Sequence, residues 1–462
     1  MTFRDLLVAY DRALGTQSAN SRFTEGNWGP LLAARLPVSS LAAGSIAALA
    51  AAIDRLTVEA RPKKTPWSLA PERITASFSG DRMMRIGGAP VEGFAELSGF
   101  FPCADGWIRT HANYPHHRAA LTSALDLDPG IGAVPFAARV ATMTGREVEE
   151  RCWSGSAIAV RVRSEAEWAS EQGAASDMDP LVRIVHRTDR AGMVRAARSS
   201  TPPTGGPPLR GVRVLDFTRV IAGPIATRAL ALLGATVLRV DSPHLREIGW
   251  QHGENGQGKR TTLLDLDTAE DVATVRGLLS RADVVVTGYR PGALQALGIA
   301  LDDGVSPGII HASVSAWGSS DAAQPGPNRS RTLWHDRRGF DSIVQAATGI
   351  ARIEGTSDKP GALPAQALDH ASGYLLAAAV VDGLAAKAAG AAGLDVSVSL
   401  ARTAAWLLSA DGRVADPVAA QLPTAATTAL HGDIRTARPA LADYADYPSP
   451  SRPFGEDPPT FG

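Results

Sequence analysis

Two stretches of the sequence combine cations or aromatic residues with flexible glycines, as ligand-binding loops do. In Asn255–Asp267, Lys259 and Arg260 follow a pair of glycines, and two cations on a loop could grip phosphates. Gly288–Gly298 places an aromatic residue and a cation before a Pro-Gly turn, which suits a flat ring near a phosphate. Both patterns are also typical of ordinary surface loops, so these residues alone leave the choice open.

The stretch TRVIAGPIATRAL forms a third candidate loop, because it follows the apolar run VRVLDF. A dinucleotide site would need the glycines of G-x-G-x-x-G, which let the backbone approach a pyrophosphate. This loop has the single Gly223 before Pro224, so NAD binding is not expected. Asp241 stands where a ribose-binding carboxylate would stand, but without the glycines it is more typical of a loop residue.

The elements that carry these loops alternate between short apolar runs and helical segments. The predicted strands are Val212–Phe217, Thr236–Val240, Ala282–Thr287 and Gly308–Val314. The predicted helices are Ile225–Leu233, which Gly234 ends, Thr268–Arg281, which Thr268 caps, and Asp341–Gly349. This alternation predicts an α/β fold with a doubly wound, Rossmann-like parallel sheet, in which ligands bind beyond the carboxyl ends of the strands.

Composition and charge exclude several classes of function. The 462 residues are 45% hydrophobic, and 46 Lys and Arg nearly balance 47 Asp and Glu, which argues against a protein that coats nucleic acid. The cysteines Cys103 and Cys152 cannot form a disulfide framework or a four-thiolate metal site. Scattered histidines such as His116 and His117 lack metal-ligand spacing and are interpreted as surface or core residues, so no metal is expected.

Targeting signals are not apparent in the sequence. The first residues carry charges through their apolar stretch, which is not typical of a signal peptide. The most apolar segment, Ser45–Ile53, is too short and too rich in alanine to cross a bilayer. We therefore expect a cytoplasmic protein that has no membrane partner.

Proline and glycine suggest where the chain divides. The segment SSTPPTGGPP, Ser199–Pro208, cannot hold a helix or a central strand and is predicted to be a linker. We expect a smaller α+β domain in residues 1–200, the linker at 201–209, and the Rossmann-like lobe in 210–410. Residues 411–462 are rich in proline and predict an extended tail that drapes over a neighbour or is disordered.

Several segments of the second half occur in a recognisable order. VRVLDFTRVIAGPIATRALALLGATVLRVDSP is followed by GKRTTLLDLD, ADVVVTGYRPGALQALGI, GFDSIVQAATGI and ALDHASGYLLAAAV. This series resembles the family III CoA-transferases, which include formyl-CoA transferase, the crotonobetaine/carnitine CoA-transferases and the α-methylacyl-CoA racemases. The resemblance implies an acyl-CoA:carboxylate CoA-transferase, with coenzyme A as a substrate and no other cofactor. It also implies a homodimer, which in this family is interlocked.

The resemblance implies a nucleophile as well. The family's segment "AD-x-x-x-G" corresponds here to Asp369 and Gly373 at a helix start. A carboxylate that attacks a thioester forms a mixed anhydride, and the returning thiolate then gives an aspartyl-CoA thioester. An Asp before an Ala-rich helix is by itself a common N-cap, so the assignment depends on the resemblance. We expect the helix N-terminus to keep Asp369 anionic.

The same matching implies which residues contact coenzyme A. They are Val220, Ile221, Ala222, Leu264, Gly288, Tyr289 and Arg338. Two arginines of the family correspond to Ser242 and Ala296 here, so the phosphates need other cations. The candidates for that role are Lys259, Arg290, Arg239 and Arg246.

Two alternatives remain open. A racemase needs a His and an Asp on opposite faces of the α-carbon, but Phe340 stands where the racemase branch has its His. His335 is the remaining candidate, since His370 would point away from Asp369 on a helix. We therefore favour the transferase over a racemase or another CoA-ester isomerase. A degenerate CoA-binding subunit is the non-enzymatic alternative, because cation positions of the family are lost.

The first half of the chain resembles parts of the same family in an unusual order. FFPCADGWIRTHA and IAVRVRSEAEWAS resemble its small domain, which normally follows the nucleotide lobe. Arg35–Leu56 resembles a second copy of the nucleophile helix with Ser40 in the position of Asp369, although it could equally be a simple core helix. Our hypothesis is that residues 31–200 supply the family's second half and residues 205–410 its first, with an inert first copy.

Overall fold

The structure is a computed structural model. It describes residues 2–18, 21–57, 65–172, 180–187, 206–289, 292–299, 308–318, 334–391 and 393–462. The strands in these ranges are β1 Phe23–Glu25, β2 Trp67–Leu69, β3 Arg85–Ile86, β4 Ala89–Pro90, β5 Phe100–Cys103, β6 Gly106–Thr110, β7 Ala159–Arg161, β8 Arg183–His186, β9 Arg213–Phe217, β10 Thr236–Asp241, β11 Arg260–Leu263, β12 Val284–Thr287, β13 Ile310–Ser315, β14 Leu394–Ser399, β15 Thr428–His431 and β16 Ile434–Ala437.

Helices separate most of these strands. They are α1 Phe3–Leu14, α2 Val38–Thr57, α3 Pro71–Phe78, α4 Gly80–Met83, α5 Pro115–Ala124, α6 Ala133–Val140, α7 Gly145–Ser154, α8 Glu165–Gln172, α9 Ala222–Leu232, α10 Gly249–Asn255, α11 Ala269–Leu279, α12 Ala293–Ala296, α13 Asp341–Thr348, α14 Ile350–Ile353, α15 Ala367–Ala388 and α16 Leu400–Ser409. Thr268 caps α11 through its side chain, which accepts a hydrogen bond from the N–H of Asp271. Each helix predicted from the sequence is thus present, with ends that differ by a few residues.

A seven-stranded sheet forms the centre of the fold, with the order β11-β10-β9-β12-β13-β14-β8. Its strands run parallel except β8, which pairs antiparallel with β14. From β9 the chain first adds β10 on one side and later β12 on the other, so the winding direction reverses at β9. The predicted doubly wound parallel sheet is confirmed, and its switch point is where such sheets bind ligands.

The sheet is buried on both faces, which explains its continuous apolar runs. In β12, Val284 and Val286 belong to the same core cluster as Ile225 of α9 and the middle of α15. Val285, between them, points to the other face and packs in a cluster with Leu278 of α11. Alternating side chains of one strand therefore hold the helices of both layers.

Smaller sheets complete the molecule. Strands β5, β6 and β7 form an antiparallel sheet that shares a core with α5, α6 and α7, while the division of the chain into domains stays a prediction. Strands β15 and β16, from the predicted Pro-rich tail, form a hairpin that pairs with β3. The tail is therefore not wholly extended, because part of it completes a sheet with the first half. Residues 201–205 of the predicted linker lie outside the described residues.

Helices α2 and α15 pack against each other at the centre of the chain. Each has a glycine where a neighbouring helix approaches closely. A Cβ on Gly373 would lie 2.5 Å from the carbonyl oxygen of Ala222 in α9, and one on Gly44 would lie 2.5 Å from Leu6 Cβ in α1. The glycine in each helix thus permits a close helix contact, and the hypothesis that α2 is a second copy of α15 stays a prediction.

Among the described residues, α2 and α15 are long and apolar enough to cross a membrane by length and composition. The argument that the apolar segments are too short is therefore wrong, since α2 extends well beyond Ser45–Ile53. Most of the apolar stretch of each helix is buried against other elements of this chain, as in core helices. That the protein has no membrane partner stays a prediction.

Candidate active site

A cavity of about 360 Å³ opens at the carboxyl ends of β9, β12 and β13. Phe217 ends β9, Gly288 directly follows β12, and Ser315 ends β13, and all of them line the cavity. The cavity therefore lies beyond the carboxyl edge of the sheet and at its switch point, as the strand order predicts.

Most of the site residues predicted from the sequence meet in this cavity. They are Val220, Ile221, Ala222, Gly288, Tyr289, Arg338 and Asp369. Leu264 does not line it, because its side chain packs in the apolar core beside α11. Arg290 lies outside the described residues.

Several helices begin at the cavity wall. Tyr114 precedes α5, Ala222 begins α9, Phe340 precedes α13, Asp369 lies in the first turn of α15, and Leu400 begins α16. The first N–H groups of a helix lack partners within it and carry a partial positive charge. The wall is thus suited to anionic groups such as carboxylates, phosphates and the oxyanions of acyl transfer.

Asp369 is the carboxylate among the cavity residues. The residue is only 6% exposed, and its backbone N–H donates a hydrogen bond to Oδ2 of Asp341 at 3.0 Å. Burial raises the pKa of Asp369 well above its ordinary value, and the nearby charge of Asp341 raises it further. Burial and the like charge thus act against the helix N-terminus, which was expected to keep this residue anionic.

Asp341 holds the start of α15 in place. Its Oδ2 accepts the N–H groups of Leu368, at 2.9 Å, and of Asp369, while its Oδ1 accepts a hydrogen bond from Gln345. Burial nevertheless raises the pKa of Asp341 to about 6. Two carboxyl groups therefore compete for ionisation in one buried place, so we expect the nucleophilic form of Asp369 to become populated as the pH rises.

Val220 forms a strained part of the loop after β9. Its φ of 71° lies in the left-handed region, which costs a β-branched residue about 1–3 kcal/mol. The backbone of Val220 is held there from both sides, since its N–H donates to Glu247 Oε2 at 2.9 Å and its carbonyl accepts from Asn255 Nδ2 at 2.8 Å. A strained backbone fixed at a cavity wall is typical of a binding site.

Cations that the sequence interpretation missed also line the cavity. The guanidinium of Arg219 lies 5.2 Å from the ring centre of Tyr114. That of Arg337 lies 4.2 Å from the ring centres of both Trp153 and Trp334. Arg219 also pairs with Glu247 at 3.6 Å and Arg337 with Glu149 at 3.4 Å, so stacking and ion pairs together orient both guanidinium groups at the cavity wall.

Lys259 and Arg239 cannot take the phosphate-binding role predicted for them. Lys259 is 2% exposed, and its Nζ donates to Asp216 Oδ2 at 3.0 Å and to Thr227 Oγ1 at 2.6 Å. Burial lowers its pKa to about 8. Arg239 is equally enclosed and pairs with Asp241 at 2.7 Å. Both cations hold β9, β10 and α9 together and do not reach the cavity.

Histidines of the first half surround Phe340, which stands where the racemase branch has its own His. The ring of His111 stacks on Phe340 with centres 3.7 Å apart, and His117 meets it edge-on at 5.6 Å. The interpretation of His117 as a surface or core residue missed its place in the cavity wall. The spacing of residues in the sequence does not reveal this place, because Phe340, which His117 contacts there, comes from the other half of the chain.

His335 also lines the cavity, whereas His370 does not, because its ring stacks on Phe78 with centres 5.1 Å apart. Among the described residues, no three His, Cys, Asp or Glu side chains come together as metal ligands would. The described part of the wall therefore offers one buried carboxylate, imidazoles, stacked guanidinium groups and helix N-termini.

Residues 209–430 match the model of the family described as CoA-transferase family III. The chain is 36% identical over 200 residues to the probable fatty acyl-CoA transferase Rv3272 of Mycobacterium tuberculosis, covering 39% of this chain and 48% of that protein. It is 32% identical to the succinyl-CoA:glutarate CoA-transferase of Mus musculus, covering 38% and 42%.

A crystal structure of the hypothetical protein Rv3272 aligns with a TM-score of 0.39 and 33% identity, covering 44% of this chain and 58% of that one. The chain thus spans about half the length of the curated relatives that it matches.

Proposed function

We propose that the chain transfers coenzyme A from an acyl-CoA to a carboxylic acid, with Asp369 as the nucleophile, because residues 209–430 match the model of CoA-transferase family III. The observation that carries the proposal is the position of Asp369. It is a buried carboxylate at the switch point of the sheet, in a wall formed by helix N-termini. Named CoA-transferases among the relatives support the same reaction class.

The proposed reaction balances without ATP, a metal or a redox partner. A carboxylate oxygen of Asp369 attacks the thioester carbonyl, the C–S bond breaks, and the CoA thiolate leaves a mixed anhydride. The thiolate attacks the aspartyl carbonyl, which releases the donor acid and forms an aspartyl-CoA thioester. The acceptor carboxylate attacks this thioester and forms a second anhydride, and the thiolate then takes the new acyl group and restores Asp369.

The cavity wall fits the demands of these steps. Every addition places negative charge on a carbonyl oxygen, and the N–H groups at the starts of α9 and α13 can donate hydrogen bonds to that oxygen. The loop Val220–Ala222 and the ring of Tyr289 are proposed to hold coenzyme A, as the resemblance implies. Arg219, Arg337 and Arg338 take over the role proposed for Lys259, since they are the cations that line the cavity.

The test is exchange between a panel of acyl-CoA esters and isotopically labelled carboxylic acids. We expect label to enter the CoA ester with the unmodified protein, and Asp369→Asn to lower the rate by at least about 10³-fold, because the nucleophile is lost. Asp267→Asn changes an exposed acid outside the cavity and serves as the matched control. Full exchange by Asp369→Asn would show that the proposed nucleophile is wrong.

An α-methylacyl-CoA racemase is the second candidate, since His335 and His117 line the same cavity as Asp369. A two-base exchange would introduce deuterium from solvent at the α-carbon without moving CoA between acids. A CoA-binding subunit would bind the ester and show neither reaction. The homodimer and the cytoplasmic location stay predictions, which sedimentation and cell fractionation would test.

A further inference from the structure

His117 is a polar side chain in the cavity wall that the transfer scheme leaves without a role. It lies in the first turn of α5 and is 6% exposed. Its Nδ1 is enclosed without a hydrogen-bond partner among the described residues. Nε2 is the opposite edge of the ring, and it is the polar atom through which the ring can meet a ligand in the cavity.

Ring contacts fix His117 in the wall of the cavity that Asp369 also lines. The ring lies edge-on to Phe340 at 5.6 Å and to Tyr114 at 5.1 Å. Phe340 precedes Asp341, whose carboxylate binds the N–H of Asp369. His117 is thus linked to the nucleophile through two neighbouring side chains, and Phe340 itself is held in place by its stacking against His111.

The surroundings of His117 keep its imidazole neutral. Burial lowers its pKa to about 3, and the nearby charges of His116, Arg338 and Arg219 lower it as well. A neutral imidazole carries one N–H, and buried N–H groups without a partner are rarer than buried acceptors without one. The proton therefore belongs on Nε2, where it can be donated into the cavity.

We propose that His117 donates a hydrogen bond from Nε2 to the thioester carbonyl oxygen while Asp369 attacks the carbonyl carbon. The inference rests on the proposed function and adds a side-chain donor to the helix N–H groups. No proton is transferred in this role. The carbonyl electron pair moves onto the oxygen, is stabilised there by the donated N–H, and returns when the C–S bond breaks.

The test compares His117→Phe, which keeps an aromatic ring without a donor, with His117→Gln, which keeps an N–H. Steady-state exchange and single-turnover formation of the aspartyl intermediate are both measured. Loss of one oxyanion donor predicts a fall in kcat of about 10²–10³-fold for His117→Phe with little change in KM. We expect kcat of His117→Gln to be at least about tenfold higher than that of His117→Phe. His186→Phe, on the exposed face of β8, is the control and should react as the unmodified protein does.

Three results would overturn the inference. In the first, His117→Phe keeps kcat within about threefold of the unmodified protein. In the second, His117→Gln is as slow as His117→Phe, which would indicate that the ring acts through packing and not as a donor. The pH profile of His117→Phe could lose a limb that the unmodified protein has, which would make His117 a titrating base. Each result leaves exchange through Asp369 intact. Absence of any Asp369-dependent exchange in the unmodified protein would instead contradict the proposed function.

Discussion

Gly373→Ala tests the packing that places the nucleophile helix against the cavity loop. The added Cβ would lie 2.5 Å from the carbonyl oxygen of Ala222 and 2.9 Å from Ile225 Cβ. Alanine favours a helix over glycine by about 1 kcal/mol, while overpacking a well-filled site costs about 1–3 kcal/mol. A backbone carbonyl cannot rotate away, so α9 has to shift. We expect a net loss of up to about 2 kcal/mol in the free energy of unfolding.

Gly277→Ala is the matched control, because Gly277 lies within α11 and its Cβ would meet no atom within 4 Å. There the helix preference acts alone, and we expect a gain of about 0.5–1 kcal/mol. Urea unfolding of both variants measures the two changes. Because Ala222 lines the cavity, Gly373→Ala should also slow CoA exchange by about tenfold, a 1.4 kcal/mol effect. Equal stability of the two variants would refute the close contact between α9 and α15.

The remaining predictions concern charges. Asp341→Asn removes the charge beside Asp369, so the pKa of Asp369 should fall. The acidic limb of the pH profile of exchange should then move down by about 1–2 pH units. An unchanged limb would show that the two carboxyl groups titrate independently. Since the folded pKa of Asp341 is about 6, above its unfolded value of about 3.9, its contribution to stability is lost as the pH rises from about 4 to about 6. Denaturant unfolding across that range should show a smaller fall in Asp341→Asn. Asp382→Ala removes the carboxylate that Arg55 and the hydroxyl of Tyr10 contact at 2.6 Å each, while Arg55 keeps Asp11 at 3.6 Å, and should cost about 1.5–3 kcal/mol in urea unfolding. A loss of less than about 1 kcal/mol in the free energy of unfolding would contradict the role of Asp382 as the partner of these two side chains.

The parts of the fold that local pattern determines could be predicted from the sequence. Strands β9, β10 and β12 are largely apolar runs buried on both faces, and Thr268 caps its helix through its own neighbours. Strands β11 and β14 were missed, because RTTL and LDVSVS mix polar with apolar residues and their places depend on the strands beside them. Such partners are set by tertiary pairing, which a local pattern does not contain.

The candidate site divides in the same way. Val220 and Gly288 were assigned to the site by the resemblance, and they meet at the cavity because both lie just beyond the carboxyl ends of strands in a parallel sheet. Lys259 was misplaced, since its partner Asp216 is distant in sequence and only the fold shows that the cation is enclosed. His117 was missed for the converse reason, because it reaches the cavity from the other half of the chain.

The central claim is that one carboxylate in each chain, Asp369, carries the acyl and CoA groups. Incubation with an acyl-CoA and hydroxylamine, followed by intact mass measurement and peptide mapping, tests it most directly. The account predicts one hydroxamate per chain, at Asp369, and none in Asp369→Asn. A label at Ser40, two labels per chain, or exchange that proceeds without any trapped aspartyl adduct would contradict it.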